Sequence, residues 1–234
     1  VVIDPWSVAW GDDETPSISG PRRDGPEATS RRITLSHNII AEGLRNSVHE
    51  KGAHSMGTLV HDYCTDVAVV GNLYAHNDER NPWFKGFATG VIVNNFVYDP
   101  GRWAMRLGPV DSEWTALGIT PGPPRVSIVG NALRHGANTP PMLALVGSNS
   151  RGEAYLEDNL AQRISGGEGP IASSSVTVHA QRPSWPDWLE ARPAGREPRA
   201  GCRRSQPAAP EAGGHQPEST PSAPPQPSKS CSGP

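Results

Sequence analysis

The sequence predicts an all-β protein, a right-handed, single-stranded parallel β-helix of about six coils, followed by a disordered tail. Three observations lead to this fold class. A short strand pattern with a fixed asparagine recurs five times in the first 161 residues. The 25 glycines and 25 prolines, about a fifth of the 234 residues, argue against a helical bundle because both weaken helix interiors. The last 39 residues contain no Val, Ile, Leu, Met, Phe, Tyr or Trp.

The recurring pattern consists of alternating apolar residues, then Asn, then another small apolar group. Such alternation over four to six residues, rich in β-branched side chains, is typical of strands. The repeats are ITLSHNII (33–40), VAVVGNLY (67–74), GVIVNNFVY (90–98), VSIVGNAL (126–133) and AYLEDNLA (154–161). Their asparagines are 34, 23, 36 and 28 residues apart: Asn38, Asn72, Asn95, Asn131 and Asn159. This spacing indicates stacked repeat units with insertions in some coils.

Asparagine suits the column because it tolerates left-handed backbone conformations at a tight bend. At a strand spacing of ~4.8 Å, the side-chain amides can also bond to one another as a ladder. We therefore expect the five asparagines along one edge, with Trp6 in the same column of the opening VVIDPWSVA. An antiparallel sandwich is the alternative, but its strands recur every ~8–12 residues.

The composition divides the chain into three parts. Residues 1–165 are predicted to form the β-helix, residues 166–195 an irregular transition, and residues 196–234 a disordered tail. Nine of the 39 tail residues are proline, and such a segment cannot bury enough apolar surface to offset its ordering entropy. The tail reads either as a Pro/Ser-rich linker or as an out-of-frame translation of GC-rich DNA.

The charge balance and the cysteines exclude several classes of protein. Twenty-one Lys and Arg against 24 Asp and Glu leave no basic surface for nucleic acid or for a membrane, and we expect a monomer. No apolar run reaches the roughly 18 residues of a membrane span. Three cysteines without metal-binding spacing support no disulfide framework. The first ten residues do not resemble a signal peptide, so we expect an internal part of a longer protein.

Two charged segments lie between the repeats, His-Glu-Lys at 49–51 and an Arg-x-Pro-x-x-Lys element. With them the sequence resembles the pectate lyases and related polysaccharide lyases of the parallel β-helix type. Arg80, Pro82 and Lys85 match that family's R-x-P-x-x-R/K element, and residues 49–51 match its H-D-K. The resemblance covers residues 1 to about 160, and it implies a secreted or periplasmic enzyme.

The resemblance implies cleavage of an acidic, polygalacturonate-type polysaccharide by β-elimination. Arg80 would be the base, while Lys51 and Lys85 would neutralise the uronate carboxylate. His49, His76, Arg80 and Lys85 would bind the substrate. Physical chemistry makes an arginine base feasible. A like charge about 5 Å away, at an effective dielectric of about 20, lowers a pKa by roughly 2.4. Two such neighbours, Lys51 and Lys85, would bring a pKa of ~13 towards 8 or 9.

The family's calcium-binding element D-G-x-x-D-I is matched only in part. Asp13 falls on the first carboxylate, but Ser17 stands on the second, and Glu14 is the candidate that compensates. We therefore expect Ca²⁺ to be held by Asp13 and Glu14 together with ligands upstream of this chain. The family's W-x-D-H strand is matched at Asp4, with Pro5 in place of the histidine.

The histidines show no spacing typical of metal ligands, and we expect structural or sugar-contacting roles for them rather than zinc binding. They include His37, His54, His61, His76 and His135. Two other functions stay open. A non-catalytic β-helix could bind acidic glycans or serve as a surface structure. A glycoside hydrolase would need paired carboxylates, and the adjacent Asp78 and Glu79 make a poor pair.

Overall fold

The strands of this chain are short, as the apolar repeats predict, and each stacks on its counterpart in the next coil. The computed structural model describes residues 1–181, which form eighteen strands and four 3-10 helices. The strands are β1 (Val2–Ile3), β2 (Ser7–Ala9), β3 (Ser17–Ile18), β4 (Arg31–Ser36), β5 (Ile39–Ala41), β6 (Leu59–Val60), β7 (Thr65–Val70), β8 (Leu73–Ala75), β9 (Trp83–Phe84), β10 (Thr89–Val93), β11 (Phe96–Tyr98), β12 (Met105–Leu107), β13 (Arg125–Val129), β14 (Ala132–Arg134), β15 (Val146–Ser148), β16 (Gly152–Glu157), β17 (Leu160–Gln162) and β18 (Val176–His179). The 3-10 helices are η1 (Arg22–Asp24), η2 (Pro26–Ala28), η3 (Asp111–Glu113) and η4 (Thr115–Leu117).

Every pairing between these eighteen strands is parallel, and the strands form three stacked sheets. The first sheet has the order β1-β4-β7-β10-β13-β16-β18, and the second contains β2, β5, β8, β11, β14 and β17. The third contains β3, β6, β9, β12 and β15. Within a coil the chain passes through the first, second and third sheets in turn. The predicted parallel β-helix is confirmed, and no antiparallel sandwich is present in the described residues.

The core is a set of apolar columns inside the coils. Leu35, Val69, Ile92 and Ile128 lie in register on four successive strands of the first sheet, and each is at most 1% exposed. Successive residues of these strands point to opposite faces of the sheet, which gives the sequence its period of two, and on the outer face Ala68 is buried as well. Burial of these columns removes the apolar surface of each coil from water.

The asparagine column lies at the bend between the first and second sheets. Asn72 Oδ1 accepts hydrogen bonds from the backbone N–H and the Nδ2 of Asn38, both at 2.9 Å. The same pair of hydrogen bonds repeats, at donor–acceptor distances of 2.9–3.1 Å, along the whole predicted column, Asn38, Asn72, Asn95, Asn131 and Asn159. The backbone N–H of Trp6 donates to Asn38 Oδ1 at 2.8 Å and takes the first place in the column. The predicted ladder is confirmed, but the left-handed backbone conformation lies one residue before each asparagine and not on it, at His37, Gly71, Asn94, Gly130 and Asp158.

The first sheet continues past residue 165. Strand β18 pairs with β16 inside the segment 166–195 that was expected to be irregular, because Val176 and its neighbours repeat the strand alternation. Residues 182–234, which include the predicted tail 196–234, lie outside the described residues. Among residues 1–181, no helix is long and apolar enough to cross a membrane.

Candidate active site

The candidate site lies where three coils meet at the edge of the third sheet. Bridges join Glu14 to Met56 and Met56 to Glu79, so the residues of the first three coils stand side by side there. Arg80 follows in the left-handed region, with φ of 66°, and its carbonyl accepts the N–H of Thr58 at 2.6 Å. A Cβ on Gly57 would lie 2.5 Å from that carbonyl oxygen, so this close approach requires glycine.

Arg80 is a largely buried guanidinium held by two carboxylates. Its side chain is 12% exposed, and its Nη1 lies 3.3 Å from Asp13 Oδ1 and contacts Glu14 Oε1. Burial is the main cause that lowers the pKa of Arg80 to about 10; Asp13 opposes this shift, and the positive charge of Arg106 adds to it. The buried Nε has no hydrogen-bond partner in the described residues.

The ring of Trp83 brings three cations together. The Cζ of Arg80 and the Nζ of Lys85 each lie 5.4 Å from its centroid, and the Cζ of Arg106 lies 3.9 Å from it. Cations at these distances are attracted to the indole face. The indole N–H donates to the carbonyl of Gly108 at 3.0 Å, which fixes the ring. The structure therefore brings Arg80 and Lys85, two predicted site residues, onto one aromatic platform.

Arg106 is a site residue that the sequence reasoning missed. It stands on β12 in register with Trp83, and its Nη1 lies 2.9 Å from Glu79 Oε2. Burial lowers the pKa of Arg106, while Glu79 opposes the shift. The like charges that act on Arg80 belong to Arg106 and Arg102, whereas the sequence analysis assigned this effect to two lysines. The sequence contains a pattern that could have identified Arg106: it follows Trp83 by 23 residues, which is also the spacing between Asn72 and Asn95.

Lys85 is buried and held by acidic residues. Its side chain is 4% exposed, and its Nζ contacts Glu113 Oε2 and lies 3.7 Å from Asp62 Oδ2. Arg22 Nη1 lies 2.5 Å from Asp62 and 2.8 Å from Glu113, so two cations share two carboxylates. Burial alone would raise the pKa of Glu113, but its bonds to Lys85 and Arg22 hold that pKa below the ordinary value. A cavity of 430 Å³, into which His61 also faces, opens beside them.

The other predicted cation and histidines are placed differently. Lys51 is exposed, and its ammonium makes no ion pair or hydrogen bond with any described residue. Met56, not Lys51, occupies the position of the second coil that is in register with Glu79. His76 is paired with Asp99, at 3.0 Å from Nδ1 to Oδ2. The two residues directly follow strands β8 and β11 of the second sheet, and none of the contacts of this pair involves Arg80.

His49 lies in the site through a contact that the sequence did not predict. Its ring stacks on that of His54, with 4.0 Å between centroids and 5° between planes. The Nε2 atoms lie 3.5 Å (His49) and 2.9 Å (His54) from the carboxylate oxygens of Asp13. The sequence predicts no metal role for His54, because residues 49–54 are a loop in which no regular spacing marks two histidines as neighbours.

The donor atoms of this site do not fit calcium. Ca²⁺ takes six to eight oxygen ligands. The carboxylates of Asp13 and Glu14, the predicted ligands, both contact Arg80, and the other candidate ligands beside Asp13 are imidazole nitrogens. Within residues 1–181 the site therefore lacks the oxygen-rich shell that calcium requires.

Three stacked parallel sheets place this chain among the parallel β-helix proteins, and comparison with known proteins narrows the class. The chain is 33% identical over 159 residues to a probable pectate lyase C of Aspergillus terreus, and the match covers 68% of this chain and 31% of that protein. For the Neosartorya fischeri protein of the same name, identity is 30% over 182 residues, covering 75% and 36%. For that of Emericella nidulans, identity is 40% over 103 residues, covering 43% and 20%.

No family model matches the chain. The similarity to several probable pectate lyases nevertheless confirms the resemblance carried by the motifs, and this partial chain belongs to the pectate lyase family. It spans about a third of the length of the first two relatives.

Proposed function

We propose that this chain carries the active site of a lyase that cleaves acidic, polygalacturonate-type polysaccharide by β-elimination. The observation that carries the proposal is the grouping of buried Arg80 with Lys85 and Arg106 around Trp83. A site that binds a uronate polymer needs fixed cations on a surface that is otherwise close to neutral. The relatives' names point to the same substrate class.

In this proposal Arg80 is the base. A neutral Arg80 nitrogen takes the proton from C5, the carbon next to the uronate carboxylate. The electron pair of that C–H bond forms the C4–C5 double bond, the C4–O bond breaks, and the leaving oxygen takes a proton from water. An ordinary guanidinium stays protonated; the burial that lowers the pKa of Arg80 to about 10 makes the neutral form accessible in alkaline solution.

Negative charge grows on the uronate carboxylate as the proton leaves, and cations fixed beside it stabilise the transition state. Lys85 and Arg106 are the candidates, because both are largely buried and both lie on the Trp83 ring beside Arg80. The neutralising role of Lys51 and the sugar contacts of His49 and His76 stay predictions. Lys51 would have to approach from its exposed loop.

Substrate binding in this site is an exchange of carboxylates. Arg80 now contacts Asp13 and Glu14, and Lys85 contacts Glu113. A uronate carboxylate would take the place of one of these side chains, so each cation keeps a partner throughout. We expect Glu113 to be the one displaced, because its side chain is 38% exposed and it stands in the loop 109–124 rather than in a sheet.

Calcium assistance remains an expectation from the resemblance. Asp13 and Glu14 would hold the ion, and its other oxygen ligands would have to come from parts of the protein outside residues 1–181. Calcium, when bound, would supply positive charge beside the substrate carboxylate. We assign no step of the reaction to it, because the described donor set does not fit it. We also expect secretion, again from the resemblance, and a monomeric state.

The test compares Arg80→Lys with the unchanged protein, in the full-length parent. Turnover is followed by the ultraviolet absorbance of the unsaturated product from polygalacturonate in alkaline buffer with calcium. A lost base costs about 10²–10⁴-fold in rate, and we expect this loss with polygalacturonate affinity nearly unchanged. Arg125→Lys, which alters an exposed arginine paired with Glu153 on the first sheet, is the control. If Arg80→Lys keeps more than about a tenth of the activity, Arg80 is not the base.

One observation favours a second candidate function. The predicted site cations Arg80 and Lys85 are already paired with carboxylates of the protein, an arrangement also typical of a static structural network. A non-catalytic β-helix that binds acidic glycans would keep this network intact. Affinity of the full-length protein for polygalacturonate without formation of an unsaturated product would favour this alternative.

A further inference from the structure

We infer that Asp13, His49 and His54 form a binding site for one divalent cation that prefers nitrogen ligands, such as Zn²⁺, rather than for calcium. The three side chains come from two neighbouring coils, and their candidate ligand atoms all lie within 4.8 Å of one another. The inference concerns metal binding alone and does not depend on the proposed lyase activity.

The spacing of the ligand atoms suits a small ion. A tetrahedral zinc ion with bonds of about 2.0–2.1 Å places its ligand atoms roughly 3.3 Å apart. The distances from Asp13 oxygens to Nε2 are 2.9 Å for His54 and 3.5 Å for His49, which bracket this value. The two imidazole rings are parallel and present the same nitrogen to one carboxylate. An imidazole nitrogen binds a metal in the plane of its own ring, so the two rings would have to tilt out of their parallel stack to share one ion.

His54 supplies the second, independent observation. Its side chain is 8% exposed, and its buried Nε2 has no hydrogen-bond partner among the described residues, although it lies 2.9 Å from Asp13 Oδ1. A buried polar atom without a hydrogen bond is unfavourable and uncommon. A nitrogen and an oxygen that lie this close without a well-oriented hydrogen bond can both be ligands of one metal ion. A metal ion between His54 Nε2 and the carboxylate would satisfy both.

The site can accommodate the changes that metal binding requires. A metal on His49 Nε2 places the ring proton on Nδ1, which now accepts the backbone N–H of Lys51 at 3.1 Å. Lys51 is exposed, so water can accept that N–H instead. The ion would also draw Asp13 away from Arg80, which keeps Glu14 as its partner. No buried charge is left unpaired by these changes.

The ligand types decide which ion is preferred. Imidazole suits zinc, copper, iron and nickel, whereas calcium and magnesium prefer carboxylate, carbonyl and water oxygens. Two imidazoles and one carboxylate, with a position left for water, match a nitrogen-preferring ion. Among these, Zn²⁺ is the probe of choice because it takes four ligands and has no redox chemistry.

The experiment is calorimetric titration of the chain, freed of metal with EDTA, using Zn²⁺ and Ca²⁺ separately. We expect a Zn²⁺ site that His54→Ala and the isosteric Asp13→Asn each weaken by roughly 100-fold or more. His37→Ala is the matched control, since His37 pairs with Asp4 at 2.9 Å in an exposed position and should leave this binding unchanged. Histidines and cysteines elsewhere in the chain contribute equally to every variant.

Thermal unfolding separates ligand loss from misfolding. Zn²⁺ should raise the melting temperature of the unchanged chain and of His37→Ala, but not that of a folded Asp13→Asn variant. Equal Zn²⁺ affinity in the unchanged chain and in His54→Ala would overturn the inference. So would tighter binding of Ca²⁺ than of Zn²⁺ that depends on Asp13 and not on His54. Loss of lyase turnover in any of these variants bears only on the proposed function.

Discussion

Replacement of Asn95 by alanine tests the structure at the centre of the asparagine ladder. Asn95 Oδ1 accepts the backbone N–H and the Nδ2 of Asn72, both at 2.9 Å, and its own Nδ2 donates to the carbonyl of Val69 at 2.9 Å. In Asn95→Ala the N–H of Asn72 and the carbonyl of Val69 lose these partners while buried. A buried polar group without a partner costs roughly 1–3 kcal/mol.

Two such groups, with some relaxation, predict a loss of about 2–4 kcal/mol in the free energy of unfolding. For a chain of this size that corresponds to roughly 5–15 °C in melting temperature. Thermal and urea unfolding followed by circular dichroism measure the loss. The matched control is Asn159→Ala, which removes the same bonds at the half-buried end of the ladder, where water can replace them. Equal losses in the two variants, or a loss below about 1 kcal/mol for Asn95→Ala, would refute the reasoning.

Two further predictions concern the proposed reaction. A base acts in its neutral form, and burial lowers the pKa of Arg80 to about 10. We therefore expect kcat/KM, measured by product absorbance, to rise about tenfold per pH unit up to about pH 10. A rate maximum near neutral pH would contradict this expectation. Glu113→Gln removes a carboxylate that holds Lys85 and should lower KM several-fold in steady-state kinetics. The control is Asp111→Asn, which lies in the same loop as Glu113, alters an exposed ion pair with Arg151 and should leave KM unchanged. A raised KM in Glu113→Gln would mean that Glu113 positions Lys85 instead of occupying the substrate's place.

The fold could be predicted from the sequence because a solenoid repeats one local pattern. Each coil needs a bend at the same place, and asparagine at that bend bonds to the asparagine of the next coil. The spacing of Asn38, Asn72 and Asn95 therefore reports the length of each coil, and the amide ladder follows from it. Strand β18 was missed because the sequence that follows it contains no asparagine to mark a further repeat.

The site was predictable only where it follows the repeat. Arg80 and Lys85 belong to a motif that leads directly into a strand, and both lie on Trp83. Lys51 was placed by a motif inside the loop 43–58, whose path no repeat determines, and the loop leaves Met56 in register with Glu79 instead. The contact of His49 with His54 depends on the same path. Residue types alone could not predict which loop residues face the sheet.

The arrangement of charge connects the two proposals. Asp13 Oδ1 lies close to both Arg80 and His54, and its Oδ2 lies close to His49, so one carboxylate belongs to both the proposed base and the proposed metal site. A carboxylate bound only to Arg80 would favour the protonated guanidinium and oppose its role as a base. An ion that takes Asp13 removes part of that stabilisation. Metal binding would therefore favour proton abstraction in this site, because an ion that draws Asp13 from Arg80 removes a carboxylate that holds the guanidinium protonated.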